Sequence, residues 1–219
     1  MARVTLHWLR ATEALVRLEL DAADRFSRYA ESRFDHELEK LKKEQKRHPK
    51  SHWNEELDYG FTRGEFLGEE AKEVRGMQQL NRYFGVLLVY SVLERFLYAI
   101  FKDAKRLNLI KDKRAATKRF LDFKGYVESL KKELGIDLRR KQKVYAQLTN
   151  LLAIRNAIAH FGGWVHSENI NFLKQYGYSE HDHIRLTEEY FSETKDLVYD
   201  SCLLIANRYE TFLRRNKIV

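Results

Sequence analysis

The sequence predicts an all-α protein, a bundle of four to five helices. The chain of 219 residues holds one proline and ten glycines, whereas a β-sandwich needs many turns that use both. Hydrophobic residues make up 44% of the chain although 33% are charged, which is enough to bury a core. Apolar positions recur at helical spacing over long stretches, without internal repeats. The length fits one domain, or one domain with an appendage.

The first predicted element is a helix over residues 5–48, because nothing interrupts it before Pro49. Its early part is amphipathic. From Glu37 onward the sequence reads ELEKLKKEQKRHPK and has little to bury. We therefore expect this second half to project past the core or to be held by a partner.

Residues 50–66 contain two glycines and mixed polarity, and predict a connecting loop. A second long helix is predicted over residues 67–108. Its middle is apolar on nearly every side, as expected of a helix surrounded by neighbours. We therefore divide the chain into an N-terminal helix with its basic connecting loop, residues 1–66, and a helical core, residues 67–219.

Two shorter helices follow in the sequence. One is predicted over residues 115–134, with Gly135 as its C-cap. Asp137 is a suitable N-cap for the next helix. That helix continues through an apolar run and is predicted to stop at the glycine pair 162–163.

The last part of the chain is predicted to be irregular over residues 164–187 and helical over residues 188–214. Within the irregular part, the segment HIRLT, residues 183–187, is a possible short strand. The only cysteine, Cys202, lies in an apolar run of the last helix and is expected to act as a small buried hydrophobe. A single cysteine excludes an intramolecular disulfide and suits a reducing cytosol.

The chain is basic, with 40 Lys and Arg against 32 Asp and Glu, a net charge of +8 and a pI near 9.4. Such a balance favours polyanionic partners, most commonly nucleic acid, but a membrane surface, an acidic protein or a simply solvated surface also fits. The N-terminus, MARVTLHWLR, lacks the apolar segment of a signal peptide. The longest apolar run, residues 83–93, is too short to span a bilayer. We expect a soluble, cytoplasmic protein that does not act in a membrane.

The segment LLAIRNAIAHFGG places a cation, an amide and an imidazole, Arg155, Asn156 and His160, in an otherwise apolar helix. On a straight helix Arg155 and His160 point about 140° apart, whereas Asn156 and His160 share a face. Arg155 and His160 converge more easily if the helix end is distorted at His160. They also converge if two copies of the helix meet across a symmetric interface.

These residue types suit RNA cleavage without a metal or another cofactor. His160 lies in the last turn of its helix, where a cation is favoured, and could act as an acid–base group. Arg155 could stabilise the charge that develops on a phosphoryl group, and Asn156 could orient the imidazole or a phosphate oxygen. The nucleophile would be the 2′-hydroxyl of the RNA. The structural alternative is that Arg155 pairs with a carboxylate of a neighbouring helix and His160 only caps the helix end.

The segment IRNAIAH resembles the R-x4-6-H signature of the HEPN superfamily of helical-bundle proteins and ribonucleases. The run VYSVLERFLYAIF, residues 89–101, looks like the second core helix of that superfamily, which carries a polar residue facing the motif. Glu94 is the best candidate for that residue, with Ser91 one turn earlier. The segment IRLTEEYF before the last helix looks like the end of such domains. The resemblance covers about residues 67–214.

The resemblance implies a homodimer that buries the motif helices against each other. Arg155 and His160 from both chains would form a metal-independent endoribonuclease site that leaves a 2′,3′-cyclic phosphate. Many such proteins are toxins or antiphage defence effectors, which implies RNA as substrate and an antitoxin or effector as a possible partner protein. Paired toxins of the superfamily often carry a tyrosine two residues after the histidine, where this chain has Gly162.

Two alternatives stay open beside the nuclease. In one, the chain is a non-catalytic HEPN module that grips RNA or a nucleotide. In the other, it is an adaptor whose basic N-terminal helix docks on an acidic protein. The basic runs of the chain could track a phosphate backbone or could be solvated helix faces.

The remaining histidines carry weaker signals. His181 and His183 alternate at strand spacing but lack further metal ligands, so we interpret them as exposed loop residues. His48 and His52, on either side of Pro49, are interpreted in the same way.

Overall fold

Helices dominate the structure, a computed structural model that describes residues 2–48, 56–57, 61–111, 121–168 and 170–218. Within these residues, five helices are longer than two turns: α1 (Ala2–Arg47), α2 (Arg63–Arg106), α3 (Phe123–Leu134), α4 (Gln142–Phe161) and α6 (Glu188–Arg215). A single-turn helix, α5 (Ile170–Leu173), and the 3-10 turns Leu138–Arg140 and Lys174–Tyr176 complete the helical part. Two antiparallel two-residue strands, β1 (Glu56–Leu57) and β2 (Phe61–Thr62), precede α2. The predicted all-α bundle is confirmed.

Helix α2 is the centre of the bundle and packs against α1, α3, α4 and α6. Its residues Val86, Leu93, Leu97 and Ile100 are fully buried. Buried side chains of α1, among them Leu9, belong to the same hydrophobic core. The division of the chain at residue 66 stays a prediction, but the two parts share one core.

The second half of α1 does not project past the core, so that prediction is wrong. Leu41 is buried, and the Gln45 Nε2 atom donates a hydrogen bond to the carbonyl of Gly64 at 3.2 Å. Helix α2 begins earlier than predicted, because Thr62 and Glu65 form a capping box that starts it at Arg63. The early start gives the second half of α1 a partner to pack on.

A buried carboxylate joins α1 to α2. The Glu31 side chain is 5% exposed and accepts two hydrogen bonds from Arg82, at 3.0 and 2.8 Å, and one from Gln78 at 2.6 Å. Arg82 also donates to the carbonyl of Leu186, at 2.9 Å. One guanidinium therefore ties together α1, α2 and the segment that leads into α6.

Local sequence signals placed some helix ends correctly. Gly135 caps α3 in the left-handed conformation, with φ of 66°, as predicted. Helix α6 begins at Glu188 after its N-cap Thr187, also as predicted. Asp137 caps only the 3-10 turn Leu138–Arg140, and α4 begins later, at Gln142, so the prediction of a continuous helix from Asp137 is wrong.

Two other predicted elements differ or cannot be compared. Helix α3 begins at Phe123 after the N-cap Asp122, and the predicted start near residue 115 lies outside the described residues. The possible strand over residues 183–187 is wrong, because His183 makes only an isolated antiparallel bridge to Trp164.

Neighbouring helices do not cover the middle of α2 on every side, because one stripe of its side chains faces solvent. Phe84 is 70% exposed. This stripe and the facing part of α1 enclose an open groove of about 530 Å³. We define the apolar face as the surface formed by the exposed side chains of Phe26, Met77, Leu80, Phe84 and Leu88.

Helix α2 is also long and apolar enough to meet the length and composition test for a membrane span. Its most apolar 18-residue window has a mean hydropathy of 1.7, and half of that window is buried inside the bundle. The central helix of a helical bundle meets the same test.

Cys202 is buried in α6 and 2% exposed, as predicted from its apolar neighbours. Burial raises the pKa of its thiol well above the ordinary range. The thiol is therefore a packing group rather than a nucleophile.

Candidate functional site

The motif helix α4 packs antiparallel on the central helix α2. Arg155 of α4 lies beside Tyr90, whereas Gly163, eight residues later, lies beside Tyr83, seven residues earlier in the chain than Tyr90. Helix α4 stays α-helical through Phe161 and ends at the C-cap Gly162. The predicted helix stop is confirmed, and the helix is not broken at His160.

Arg155 is half-buried on the side of α4 that faces α2. Its guanidinium carbon lies 5.5 Å from the centre of the Tyr90 ring, within the range of a cation–π contact. Its Nη1 atom donates a hydrogen bond to Oδ1 of Asn156 at 3.0 Å. No carboxylate of the described residues forms an ion pair with Arg155 within 4.0 Å, so the carboxylate partner of the structural alternative is not found among them.

Glu94 lies one turn beyond Tyr90 on α2, and the charge of Arg155 acts on its carboxyl through space. Burial raises the pKa of the Glu94 carboxyl, and the positive charge of Arg155 acts to lower it. Within the described residues no ion pair joins Glu94 to Arg95, since Arg95 bonds instead to Glu19 at 2.9 Å. Of the two predicted supporting groups, Glu94 is therefore electrostatically coupled to the motif.

Ser91, the other predicted supporting residue, uses its hydroxyl locally. It donates a hydrogen bond to the carbonyl of Leu88, one turn earlier, at 2.7 Å. Bonds of this kind satisfy a hydroxyl within its own helix. Within the described residues Ser91 forms no hydrogen bond with Arg155, Asn156 or His160.

His160 is exposed in the last turn of α4. Its ring makes an edge contact with Phe161, with 6.4 Å between the ring centres. No hydrogen bond or ring contact joins it to Arg155 in the described part of the chain. One chain therefore brings Arg155 and Asn156 together but leaves His160 apart, as the 140° separation on a straight helix requires.

The glycine pair after α4 is needed for two different reasons. Gly162 adopts the left-handed conformation that closes the helix, with φ of 61°. Gly163 has φ of 92°, and a Cβ atom there would lie 2.3 Å from the Tyr83 hydroxyl oxygen. This close approach lets Gly163 pair with the segment after residue 180: the Ile184 N–H donates to the Gly163 carbonyl at 2.8 Å.

We expect Gly163→Ala to lower the free energy of unfolding by roughly 2–4 kcal/mol, the sum of a left-handed backbone cost and an overpacking cost. The matched control is Gly76→Ala, because a Cβ at Gly76 meets nothing within 4 Å inside a helix. That control should gain up to roughly 1 kcal/mol. Urea unfolding measures both variants, and equal stability of the two would contradict this account of the glycine pair.

Sequence reasoning missed Tyr83 and His183. The Tyr83 hydroxyl lies 3.1 Å from Nδ1 of His183 and donates to the carbonyl of Ile184. His183 is half-buried and also contacts the Trp164 ring, with 4.9 Å between centres, so its interpretation as an exposed loop residue is wrong. His181 is exposed, and His52 lies outside the described residues. The contacts of His183 join residues a hundred positions apart, which no local pattern signals.

In the described part of the chain, no group of three or more His, Cys, Asp or Glu side chains is arranged to hold a metal ion. Comparisons with models of protein families, with curated proteins and with solved structures gave no match.

Proposed function

We propose that this chain is a HEPN-type endoribonuclease that acts as a homodimer. One observation carries the proposal. Arg155, Asn156 and His160 occupy a single unbroken helix that ends at Gly162, with Arg155 over the Tyr90 ring of the central helix and His160 exposed. This is the setting in which the R-x4-H motif of that superfamily is expected, and the motif suits cleavage through the 2′-hydroxyl of RNA.

In the proposed reaction the 2′-oxygen attacks the adjacent phosphorus and the bond from phosphorus to the 5′-oxygen breaks. One proton leaves the 2′-hydroxyl and one reaches the departing 5′-oxygen, giving a 2′,3′-cyclic phosphate and a 5′-hydroxyl. The imidazole of His160 is suited to these proton transfers. The guanidinium of Arg155, held by Asn156, stabilises the negative charge on the phosphoryl oxygens as they become more electron-rich.

A second copy of the chain completes the proposed site. Because α4 is straight at His160, distortion of one helix does not bring Arg155 and His160 together. Helix α4 exposes His160 and the small residue Ala159, and it half-exposes Asn156. Two copies that meet along this side would place one arginine and one histidine from each chain in a shared cleft.

The apolar face supports an interface beside this cleft. Exposed, contiguous apolar surface on a globular protein marks sites of association. Leu80 lines both the groove of the apolar face and a second cavity that reaches Gly162. The apolar face is therefore continuous with the end of the motif helix.

We expect the wild-type chain to be a dimer and Phe84→Glu to shift it toward monomer by at least tenfold in dissociation constant. The Phe84 ring is 70% exposed in one chain and would be buried in the apolar interface. The substitution would place a charge there instead, and an unpaired buried charge is costly. Gln147→Glu, an equal charge change at an exposed position of α4, is the control. Light scattering over a concentration series measures the assembly, and a wild-type chain that is monomeric throughout would contradict the proposed dimer.

The second candidate function is a non-catalytic RNA- or nucleotide-binding module. The observation that favours it is the separation of Arg155 and His160 within one chain.

For the nuclease, the proposed setting is toxin–antitoxin or antiphage defence in the cytoplasm, with an antitoxin or effector protein as partner. This setting follows from the resemblance of the motif.

The decisive experiment is cleavage of end-labelled single-stranded RNA and of tRNA by the purified wild-type dimer with EDTA present. We expect cutting that survives EDTA and leaves a 2′,3′-cyclic phosphate, which is identified by its resistance to phosphatase until acid opens the ring. A folded dimer that binds these RNAs but cuts none of them would overturn the nuclease in favour of the binding module.

A further inference from the structure

A basic cavity of about 500 Å³ lies at the end of the motif helix, between α2 and the segment before α6. Its wall includes Gly162 and three cationic side chains, Lys72, Arg75 and Arg185. His160 lies two residues before Gly162, about 3 Å along the helix axis. The cavity therefore lies at the same end of the motif helix as His160, the residue to which the proposed function gives the proton transfers.

The cations of this cavity are only partly neutralised by the protein itself. Lys72 bonds to Glu69 at 2.6 Å on the exposed surface of α2. Arg75 and Arg185 are exposed and have no hydrogen bond or ion pair to any described residue. Two guanidinium groups that line one cavity, with no carboxylate of the described residues paired to them, are suited to bind phosphate oxygens.

His183 adds a donor or acceptor of defined orientation to the same wall. The Tyr83 hydroxyl donates its only hydrogen to the carbonyl of Ile184. Toward Nδ1 of His183, 3.1 Å away, it can therefore act only as an acceptor. The Nδ1 atom of His183 therefore carries a hydrogen. The other ring nitrogen, Nε2, is left for a ligand, as an acceptor when the ring is neutral and as a donor when it is protonated.

An exposed aromatic ring adjoins the cationic wall. Trp164 is 54% exposed, and its ring meets that of His183 edge-on with 4.9 Å between centres. A cationic groove beside an aromatic ring is the combination that single-stranded nucleic acids use, since phosphates need cations and unpaired bases stack on rings. An acidic protein surface would use the cations but has no need of the exposed indole.

We propose that this cavity holds a single-stranded RNA at the end of the motif helix. Arg75 and Arg185 bind a backbone phosphate, to which Nε2 of His183 donates when its ring is protonated, and the Trp164 ring stacks on a neighbouring base. The inference rests on the proposed function for the identity of the strand. It assigns the cavity the role of holding the RNA at the end of the helix that carries His160.

The test measures binding separately from cutting. Fluorescence anisotropy of a labelled 12-nucleotide single-stranded RNA is recorded with the His160→Ala protein, with and without the added changes Arg75→Gln and Arg185→Gln. The control carries Arg10→Gln and Arg33→Gln, which remove two exposed arginines of α1 and the same net charge. Thermal unfolding verifies that every variant is folded.

We expect the cavity variant to bind RNA roughly tenfold or more weakly and to lower the slope of log K against log salt by roughly 1, because phosphate contacts release counterions. Trp164→Ala should weaken binding roughly tenfold through the lost base stacking. The control should stay within about twofold of the parent. Equal weakening of control and cavity variants would overturn the proposal, as would no weakening at all.

Two further arms identify the ligand and separate the two proposals. If AMP competes as strongly per molecule as the 12-nucleotide strand, the cavity is a mononucleotide site and the strand proposal is overturned. If RNA binds through the cavity but the wild-type protein does not cut it, only the nuclease fails. If the wild-type protein cuts RNA and the cavity variant binds it normally, only the cavity proposal fails.

Discussion

Replacing His160 by alanine is expected to slow RNA cleavage by roughly 10²–10⁴-fold, the contribution of a positioned acid–base group. The side chain is exposed at the end of α4, with only an edge contact to Phe161, so its loss should not change stability measurably. The loss of rate would then report on chemistry rather than on folding. The matched control is Gln147→Ala, an exposed residue of the same helix outside the motif.

Arg155→Ala should slow cleavage by roughly 10²–10³-fold, because the positive charge beside the phosphorus is lost. Arg155 also lies over the Tyr90 ring and near Glu94, so the alanine variant should in addition lose some stability. Arg155→Lys separates the two effects, since it keeps the charge but not the planar fork of donors. We expect the lysine variant to fold like wild type and to cut at an intermediate rate.

The measurement is single-turnover cleavage of labelled RNA in EDTA, with the dimer state and the unfolding temperature recorded for each protein. Full activity in the His160→Ala dimer would remove this residue from the mechanism. Equal losses in Gln147→Ala would show that the assay reports a general change in α4 rather than the motif.

The largest expected effect on stability is that of Arg82→Met, which should lower the free energy of unfolding by roughly 3–5 kcal/mol. Arg82 supplies two of the three hydrogen bonds to the buried carboxylate of Glu31, and removing it leaves an uncompensated charge inside the bundle. Adding Glu31→Gln to that variant removes the buried charge, so the double variant should recover a large part of the loss.

The control for this prediction is Arg214→Met. Arg214 pairs with Glu210 one turn away on the exposed surface of α6, and such pairs contribute roughly 0.3–0.5 kcal/mol. Urea unfolding at one fixed protein concentration gives the comparison, because the stability of the proposed dimer would depend on concentration. Similar losses for Arg82→Met and Arg214→Met would contradict the role assigned to the buried pair.

The helices of the fold could be predicted from the sequence because their signals are local. A cap lies within four residues of the helix end that it satisfies, as with Gly135, Gly162 and Thr187. Apolar spacing likewise repeats within one turn. The error at Asp137 has the same local origin, since a good N-cap signal was satisfied by a 3-10 turn instead of an α-helix.

The candidate site was predictable only in part, because sequence signals are local and several of its contacts are not. Arg155, Asn156 and His160 are adjacent in the sequence, and their divergence follows from the pitch of one helix. The cation–π contact of Arg155 involves Tyr90, sixty-five positions earlier in the chain. The basic cavity joins Arg75 to Arg185 across an even longer separation.

The sequence by itself determined the all-α class, the motif helix and its stop, and the basic character of the chain. The tertiary structure decided which helix faces are buried and which are exposed. It packed the second half of α1 onto α2, left the apolar face exposed, and brought His183 to Tyr83 through a glycine that tolerates no side chain. The physical reason is that backbone hydrogen bonds within a helix are local, whereas the exposure and partners of a side chain depend on residues that only the folded chain brings near.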